Sequence, residues 1–540
     1  MSSMDVNLAD VISAVADAVP DRCALVCDGQ RLSYRELIDR ARKLAHHLIE
    51  SGLEPDETVG LYMLNSVAHV ETLLGCMLAR LTPVNVNYRY TGSELAHLFT
   101  RGKLAGLVVD AQYAPLAAEV AEASPGLRHV LVVGDGGALP AGFPAGVSVA
   151  DYEKALAAAP AVVPDIGRGG DDKLIIFTGG TTGLPKGVLW RHEDFYFGAL
   201  SGGNRLGPPF LSVGEVAAAA RERPPASYVV AAPLMHGGGL ITAFGVLLGG
   251  SKLVLEPRFD AARILGLVST EQANLLGVIG DAMARPIADE LAAHPDAYDL
   301  SSLLILLSGA ALLSRSVREQ IQAMYPNLVI LDAFGSSETG IGGQLRPREE
   351  GRPILVHSGN VTVLDDSLRP VQPGEIGQMA KSGHVPLGYY GDDSATKTTF
   401  PVIGGVRFVL MGDMAEVDSD GSIVVLGRGS MCINTGGEKV YPEEVEQALK
   451  SHPAVMDALV AGIPDERFGE RVAAAVSLRP GATADTDALR QHCRLTLAGY
   501  KVPARIRFVT EVTRSPSGKA DYPWARSVLA GHDPALAEPV

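Results

Sequence analysis

The chain has 540 residues, 47% of them hydrophobic and 20% charged, with 46 basic against 62 acidic side chains and a formal net charge of −16. That length exceeds what one hydrophobic core serves, so at least two domains are expected; the composition excludes wholesale disorder, and the acidic balance argues against a nucleic-acid partner. The five cysteines (Cys23, Cys27, Cys76, Cys432, Cys493) are an odd number without paired metal-ligand spacing, which excludes a disulfide framework and a zinc site and predicts a reducing, cytoplasmic setting.

Residues 1–22 carry Asp5, Asp10, Asp17 and Asp21 before the first basic residue, unlike the positive start of a secretory leader. Ser33 suits an N-cap for an amphipathic helix running from Tyr34 to about Ser51. Val59-Gly60-Leu61-Tyr62-Met63 then reads as a buried strand, and the apolar run at 104–109 repeats it. Such alternation predicts an α/β fold with largely parallel sheets. Residues 136–170 read as a surface connection and 202–225 as an irregular, mobile stretch. The uncharged segment 227–251 is long enough to imitate a membrane span. However, Pro233, His236, Gly237, Gly238, Gly239, Gly249 and Gly250 divide it into strand, loop, buried helix and turn, so no transmembrane segment is expected. Near Gly427-Arg428-Gly429-Ser430 the texture changes. A helix at 442–451, strands at 458–463 and 472–478, and a helix at 487–498 make a compact α+β unit. The expected domains are therefore 1–428 and 429–540.

The strand Leu174-Ile175-Ile176-Phe177-Thr178 runs straight into Gly179-Gly180-Thr181-Thr182-Gly183-Leu184-Pro185-Lys186-Gly187. Glycines let backbone N–H groups turn inward as an anion nest. The threonine hydroxyls and Lys186 add donors for phosphate oxygens. The spacing does not fit the Gly-x-x-x-x-Gly-Lys-Ser/Thr loop of the NTPases.

This loop resembles the signature of the adenylate-forming superfamily, which includes acyl-CoA synthetases, peptide-synthetase adenylation domains and luciferases. The likeness runs from about Leu32 to Lys519, with the motifs in the family's order. Trp190-Arg191-His192-Glu193-Asp194 and Gly280-Asp281-Ala282-Met283-Ala284-Arg285-Pro286 narrow it to a resemblance to actinobacterial ligases of fatty acids and sterol side-chain acids. The fold this implies is α/β: a large N-terminal domain of stacked, mainly parallel sheets plus a β subdomain, and a small mobile α+β C-terminal domain.

The resemblance also implies roles. Thr178, Gly179, Gly180, Thr181, Thr182, Gly183 and Lys186 would cradle phosphates. Leu331-Asp332-Ala333-Phe334-Gly335-Ser336-Ser337-Glu338-Thr339-Gly340 is expected to follow a strand and is similar to the family's Tyr-Gly-x-Thr-Glu motif. In it Phe334 would stack on adenine in place of tyrosine, and Ser337 would keep the threonine's hydroxyl. Asp332, Gly335 and Ser336 would complete the nucleotide contacts, and Glu338 would hold Mg²⁺ against the phosphates. Gly309 and Ala310 would border adenine and acyl group, while His236, Gly237, Gly238 and Gly340 would border the acid. Asp413 and Arg428 would take the ribose hydroxyls or phosphate. Lys519, in Arg514-Ser515-Pro516-Ser517-Gly518-Lys519, would be the catalytic lysine. Gly436-Gly437-Glu438 would enter for thioester formation after a swing about Ser430, where relatives carry Asp or Lys. ATP, Mg²⁺, coenzyme A and a carboxylic acid are then the small-molecule partners, and a homodimer is compatible with the reading. The chain ends at Val540, so a fused carrier domain is not expected after Lys519. A ligase delivering to a separate carrier, a non-catalytic binding homologue and a luciferase-like oxygenase are the rival readings. Small, apolar side chains in the expected acyl segments, without lysine, arginine or acid, predict a bulky hydrophobic substrate.

Overall fold

The computed structural model describes residues 5–134, 137, 139–180, 183–205, 207–311, 313–348, 352–357, 359–435, 438–465, 468–514 and 519–531. Among them the strands gather into three sheets. In the first, Val329–Ser336, Ile305–Ser308, Leu275–Val278, Ser227–Val230, Lys252–Leu255 and Cys23–Cys27 lie side by side and parallel. Beyond Val329–Ser336 the sheet turns antiparallel, continuing through Gly340–Arg346, Ile354–Val356, Ile423–Arg428, Val406–Val417 and Ile376–Ser382. The β subdomain is thus an extension of the first sheet rather than a separate layer.

The second sheet runs parallel from Ser148–Asp151 through His129–Val133, Gly106–Asp110, Thr58–Tyr62 and Thr82–Asn85 to Lys173–Gly180. It closes with antiparallel Gly183–Arg191 and Gly388–Tyr389. The third is built on the long hairpin of Val455–Asp465 and Gly469–Leu478, with its own buried core of Val445, Leu449, Val460 and Val476.

The helix Tyr34–Glu50 forms where the sequence places it. Ser33 Oγ accepts from Glu36 N at 3.2 Å and Ser33 N donates to Glu36 Oε2 at 2.7 Å, a reciprocal cap. Leu37, Ile38, Ala41, Leu44, Ala45 and Leu48 recur at helical spacing and are buried. They face Val67–Leu78, which is buried on every side. This stack fixes the two large sheets against each other, and the site opens between their strand ends.

Four expectations need correcting. Residues 136–170 contain a strand, Ser148–Asp151, and a helix, Tyr152–Ala158, because Asp151 caps Lys154 N at 2.8 Å and Tyr152, Ala155 and Leu156 are buried at helical spacing. The stretch 202–225 contains the Ser212-capped helix Val213–Glu222. The helix expected over 487–498 ends at Arg494. The 331–340 motif does not follow a strand but begins inside Val329–Ser336. The segment 227–251 is a strand, a loop and a buried helix as expected, and no described helix is long and apolar enough to cross a membrane. All five cysteines are free thiols.

Candidate active site

The phosphate segment is the hairpin of Lys173–Gly180 and Gly183–Arg191, whose register sets Thr178 opposite Lys186. Thr181 and Thr182 lie outside the described residues. Asn85 ties this hairpin to the loop before His236: Oδ1 accepts from Phe177 N at 2.6 Å, and Nδ2 donates to Phe177 O at 3.2 Å and to Met235 O. His236 caps the helix Gly237–Leu248. A Cβ at Gly237 would stand 2.7 Å from Ser337 Oγ, so glycine permits the approach of helix and acidic turn.

That turn, 336–340, is knitted by its own hydroxyls. Ser336 N donates to Thr339 Oγ1 at 2.8 Å, and Glu338 N to Ser336 Oγ at 3.2 Å. Three outside groups hold it further. Trp190 Nε1 donates to Ser337 O at 2.9 Å from a fully buried ring. Lys381 is buried and donates to Thr339 O, Ile341 O and Gly198 O at 2.6, 2.7 and 3.0 Å. Burial lowers its ammonium to about 8, so it stays charged at neutral pH. Tyr389 donates its hydroxyl to Glu338 Oε1 at 3.1 Å, and Lys186 Nζ lies 5.2 Å from the centre of the same ring. One tyrosine thereby links the phosphate lysine to the acidic residue.

Asp413 and Arg428 face each other across paired strands, 3.1 Å apart, and Arg428 Nη1 donates to Met411 O at 3.0 Å. Burial raises the Asp413 carboxyl, against the pull of Arg428 and Lys519. Lys519 is half-buried in the joint field of Glu338, Asp413 and Arg428. Burial lowers its pKa, and the two carboxylates oppose the shift. An Arg514–Ala520 bridge closes the lysine loop, whose residues 515–518 lie outside those described.

These elements surround a cleft of about 350 Å³. Its walls include Thr178, His236, Gly237, Gly238, Gly309 and Ala310. Phe334, Gly335, Ser336, Ser337, Gly340 and Lys519 line it as well. Glu338, Lys186, Asp413 and Arg428 do not line it; Tyr389 touches the first two, and Lys519 lies in the field of Glu338, Asp413 and Arg428. Ser308, buried at the same wall, has no partner for its Oγ among the described residues.

Asp332 does not line the cleft. It pairs with Arg318, and burial pushes its carboxyl up to about 6. Glu438 is exposed at the start of Glu438–Val440, away from the cleft, and Gly436 and Gly437 lie outside the described residues. Ser430 sits in the single turn Gly429–Met431 that follows the strand Ile423–Arg428.

The C-terminal unit is held over the cleft by charges. Lys450 Nζ lies 3.6 Å from Asp281 Oδ2 and 3.2 Å from Asp457 Oδ1, and Arg514 pairs with Asp457 at 2.8 Å. Burial alone would raise the Asp457 carboxyl, but Lys450 and Arg514 hold it well below the ordinary range. Arg352–Glu444 at 2.7 Å and Arg479–Asp289 at 3.3 Å add further pairs across the same seam.

Sequence reasoning missed Asn85, Tyr389, Lys381 and Arg205, the last an arginine in the cleft wall. Lys381 left a signal, the one charged residue of the Ile376–Ser382 strand. Asn85, Tyr389 and Arg205 left none.

The AMP-binding enzyme family matches residues 12–390, and its C-terminal domain matches 444–519. The chain belongs to this family. Among relatives, it is 41% identical to a 3-oxocholest-4-en-26-oate–CoA ligase of Rhodococcus rhodochrous, over 97% of this chain and 96% of that one. It is 44% identical to a medium/long-chain-fatty-acid–CoA/3-oxocholest-4-en-26-oate–CoA ligase of Mycobacterium tuberculosis, over 96% and 95%. The anthranilate CoA ligase AuaEII bound to anthranoyl-AMP shares the adenylate-forming fold, with a TM-score of 0.82 and 23% identity over 97% of this chain and 98% of that one.

Proposed function

We propose that this AMP-binding enzyme is an acid–CoA ligase for a large hydrophobic acid, a sterol side-chain acid or a medium- to long-chain fatty acid. The observation that carries the reading is the cleft that Lys519, Ser337 and His236 all line, with Gly237, Gly238 and Ile241 of the helix Gly237–Leu248 in its wall. The domain boundary falls at Arg428.

An acid carboxylate oxygen attacks the α-phosphorus of ATP, the bond to the bridging oxygen breaks, and pyrophosphate leaves. Lys519 supplies positive charge where charge spreads over phosphorus, in a site whose other donors are already fixed. Phe334 offers a face for adenine, Asp413 accepts from ribose hydroxyls, and the Thr178–Lys186 hairpin takes the outer phosphates. A magnesium ion would be held by Glu338. The described residues contain no cluster of three metal-binding side chains, which suits a cation that takes most of its oxygens from phosphate and water. When bound, it neutralises phosphate charge. The unit after Arg428 then rotates about Ser430, withdrawing Lys519 and presenting the 436–438 loop. The CoA sulfur attacks the acyl carbon, its proton is lost, and AMP leaves.

The test is competition among acetate, benzoate, octanoate, palmitate and 3-oxocholest-4-en-26-oate at equal concentration. The large acids should win by kcat/KM; preference for acetate or benzoate contradicts the proposal.

A further inference from the structure

Arg205 is the one cationic side chain in the part of the cleft wall that runs along the Gly237–Leu248 helix among the described residues. Gly238, Ile241 and Thr242 line the cleft at helical spacing, and Gly245 continues the same face one turn on. The Arg205 guanidinium lies on that continuation, with Nη2 3.0 Å from where a Cβ at Gly245 would stand. Gly237 adjoins Ser337 at the reacting end, and Gly245 is eight residues further along the helix, about 12 Å at the ordinary helical rise. Arg205 therefore stands far from the chemistry but inside the same cleft.

Val230, Ala232, Ile241 and Leu307 line the same cleft and offer no side-chain acceptor, and Tyr228, close enough to act on the guanidinium electrostatically, takes no hydrogen bond from it. Among the described residues Arg205 makes no ion pair and no hydrogen bond. It keeps open surface, yet protein packs around the guanidinium closely enough that burial lowers its pKa. Both hold for a side chain lying in a cleft wall. The loop that carries it is tied rather than loose: Tyr196 donates its hydroxyl to Gly202 O at 2.8 Å and to Phe210 O at 3.2 Å, and Phe210 N donates to Gly202 O at 2.9 Å. Asn204 Nδ2 donates to Pro208 O at 2.9 Å across the same loop. A guanidinium that opens onto the cleft without a protein acceptor is held by water alone, and a bulky ligand that displaces this water leaves it unpaired unless it supplies an oxygen.

We propose that Arg205 is a specificity-determining residue that donates to an oxygen acceptor at the far end of the acid, a ring ketone, hydroxyl or second carboxylate. The inference rests on the reading of this cleft as the acyl site, and it divides the hydrophobic acids that reading admits. Acids with a distal oxygen are preferred over purely hydrocarbon ones, because a site built around a donor discriminates against an analogue that leaves the donor unpaired.

The test uses matched acids: 3-oxocholest-4-en-26-oate against the same acid without the ring ketone, and hexadecanedioate against palmitate. The parent enzyme should favour at least one oxygen-bearing partner by about tenfold or more in kcat/KM. Arg205→Leu should bring that ratio to within about twofold, chiefly through a raised KM for the oxygen-bearing acid, and a Tm matching the parent's reports a folded enzyme. Arg205→Lys, keeping charge but losing the planar fork, should fall between. A parent without preference in either pair, or a preference that survives Arg205→Leu, overturns the assignment of Arg205 alone. Turnover of acetate or benzoate with none of the four large acids overturns the hydrophobic substrate class, and this inference with it.

Discussion

The two halves of the active site are held together by different forces. On the N-terminal side, strand ends carry Thr178, Ser337 and Phe334, and neighbouring backbone groups are fixed by Asn85, Trp190 and Lys381 through hydrogen bonds inside one continuous core. The C-terminal unit brings Lys519, yet it is held across the seam by ion pairs such as Asp281–Lys450 and Arg352–Glu444. Directional hydrogen bonds within a close-packed core have one good arrangement. A charge can exchange one partner or water for another at modest net cost. A fixed half that recognises and a moving half that catalyses would require this division.

The largest effect that tests the contrast is at Lys519. Lys519→Ala should slow adenylate formation by roughly 10²- to 10³-fold, the cost of losing one preorganised charge. CoA transfer from a supplied acyl-adenylate should stay within a few-fold, as measured by separate half-reaction assays. Equal loss of both would mean that the two halves never part.

Next comes the fixed half. Lys381→Met leaves three buried carbonyls without their donor, about 1–3 kcal/mol of stability, and frees the turn that carries Glu338. Both half-reactions should slow by roughly tenfold and Tm should fall by about 1–3 °C. Loss of only one half-reaction would show that the turn serves a single conformation.

How much of this was legible in the sequence follows the same division. The fixed site is built from short contiguous motifs, 174–187 and 331–340, whose glycines, hydroxyls and order point to phosphate chemistry by themselves. Even there Asp332 turned away to Arg318, because a motif position does not say which face of a strand it occupies. The seam was illegible: Asp281 is distant in sequence from Lys450 and Asp457, and no spacing rule connects them. Lys381 and Arg205 matter through what surrounds them, which is a property of the fold.

Asp281→Asn addresses the seam directly. It weakens the Lys450 contact while keeping the side chain's shape, so Lys519 should sit over the cleft less often. Adenylation should slow about five- to tenfold, corresponding to roughly 1 kcal/mol, and CoA transfer should hold or quicken. Slower CoA transfer would place the pair in the other conformation.

The smallest expected effect is in pH. Burial, with help from Glu446, pushes the Glu443 carboxyl up to about 7 where it packs against Gly427 and Arg428. The closed arrangement thus retains a proton that an exposed Glu443 releases. Its stability should fall as pH rises from the ordinary carboxylate value of 4.5 to about 7 and change little above that. Glu443→Gln should flatten this arm of the adenylation pH profile by a few-fold. An unchanged profile would mean that another group titrates.

The most direct test of the account is product stoichiometry with ATP and palmitate or 3-oxocholest-4-en-26-oate, in the presence and absence of CoA. With CoA, AMP, pyrophosphate and acyl-CoA should appear in equal amounts over many turnovers; without it, pyrophosphate should stop near one equivalent per enzyme. Pyrophosphate release that continues in the presence of CoA with no thioester formed would contradict the account.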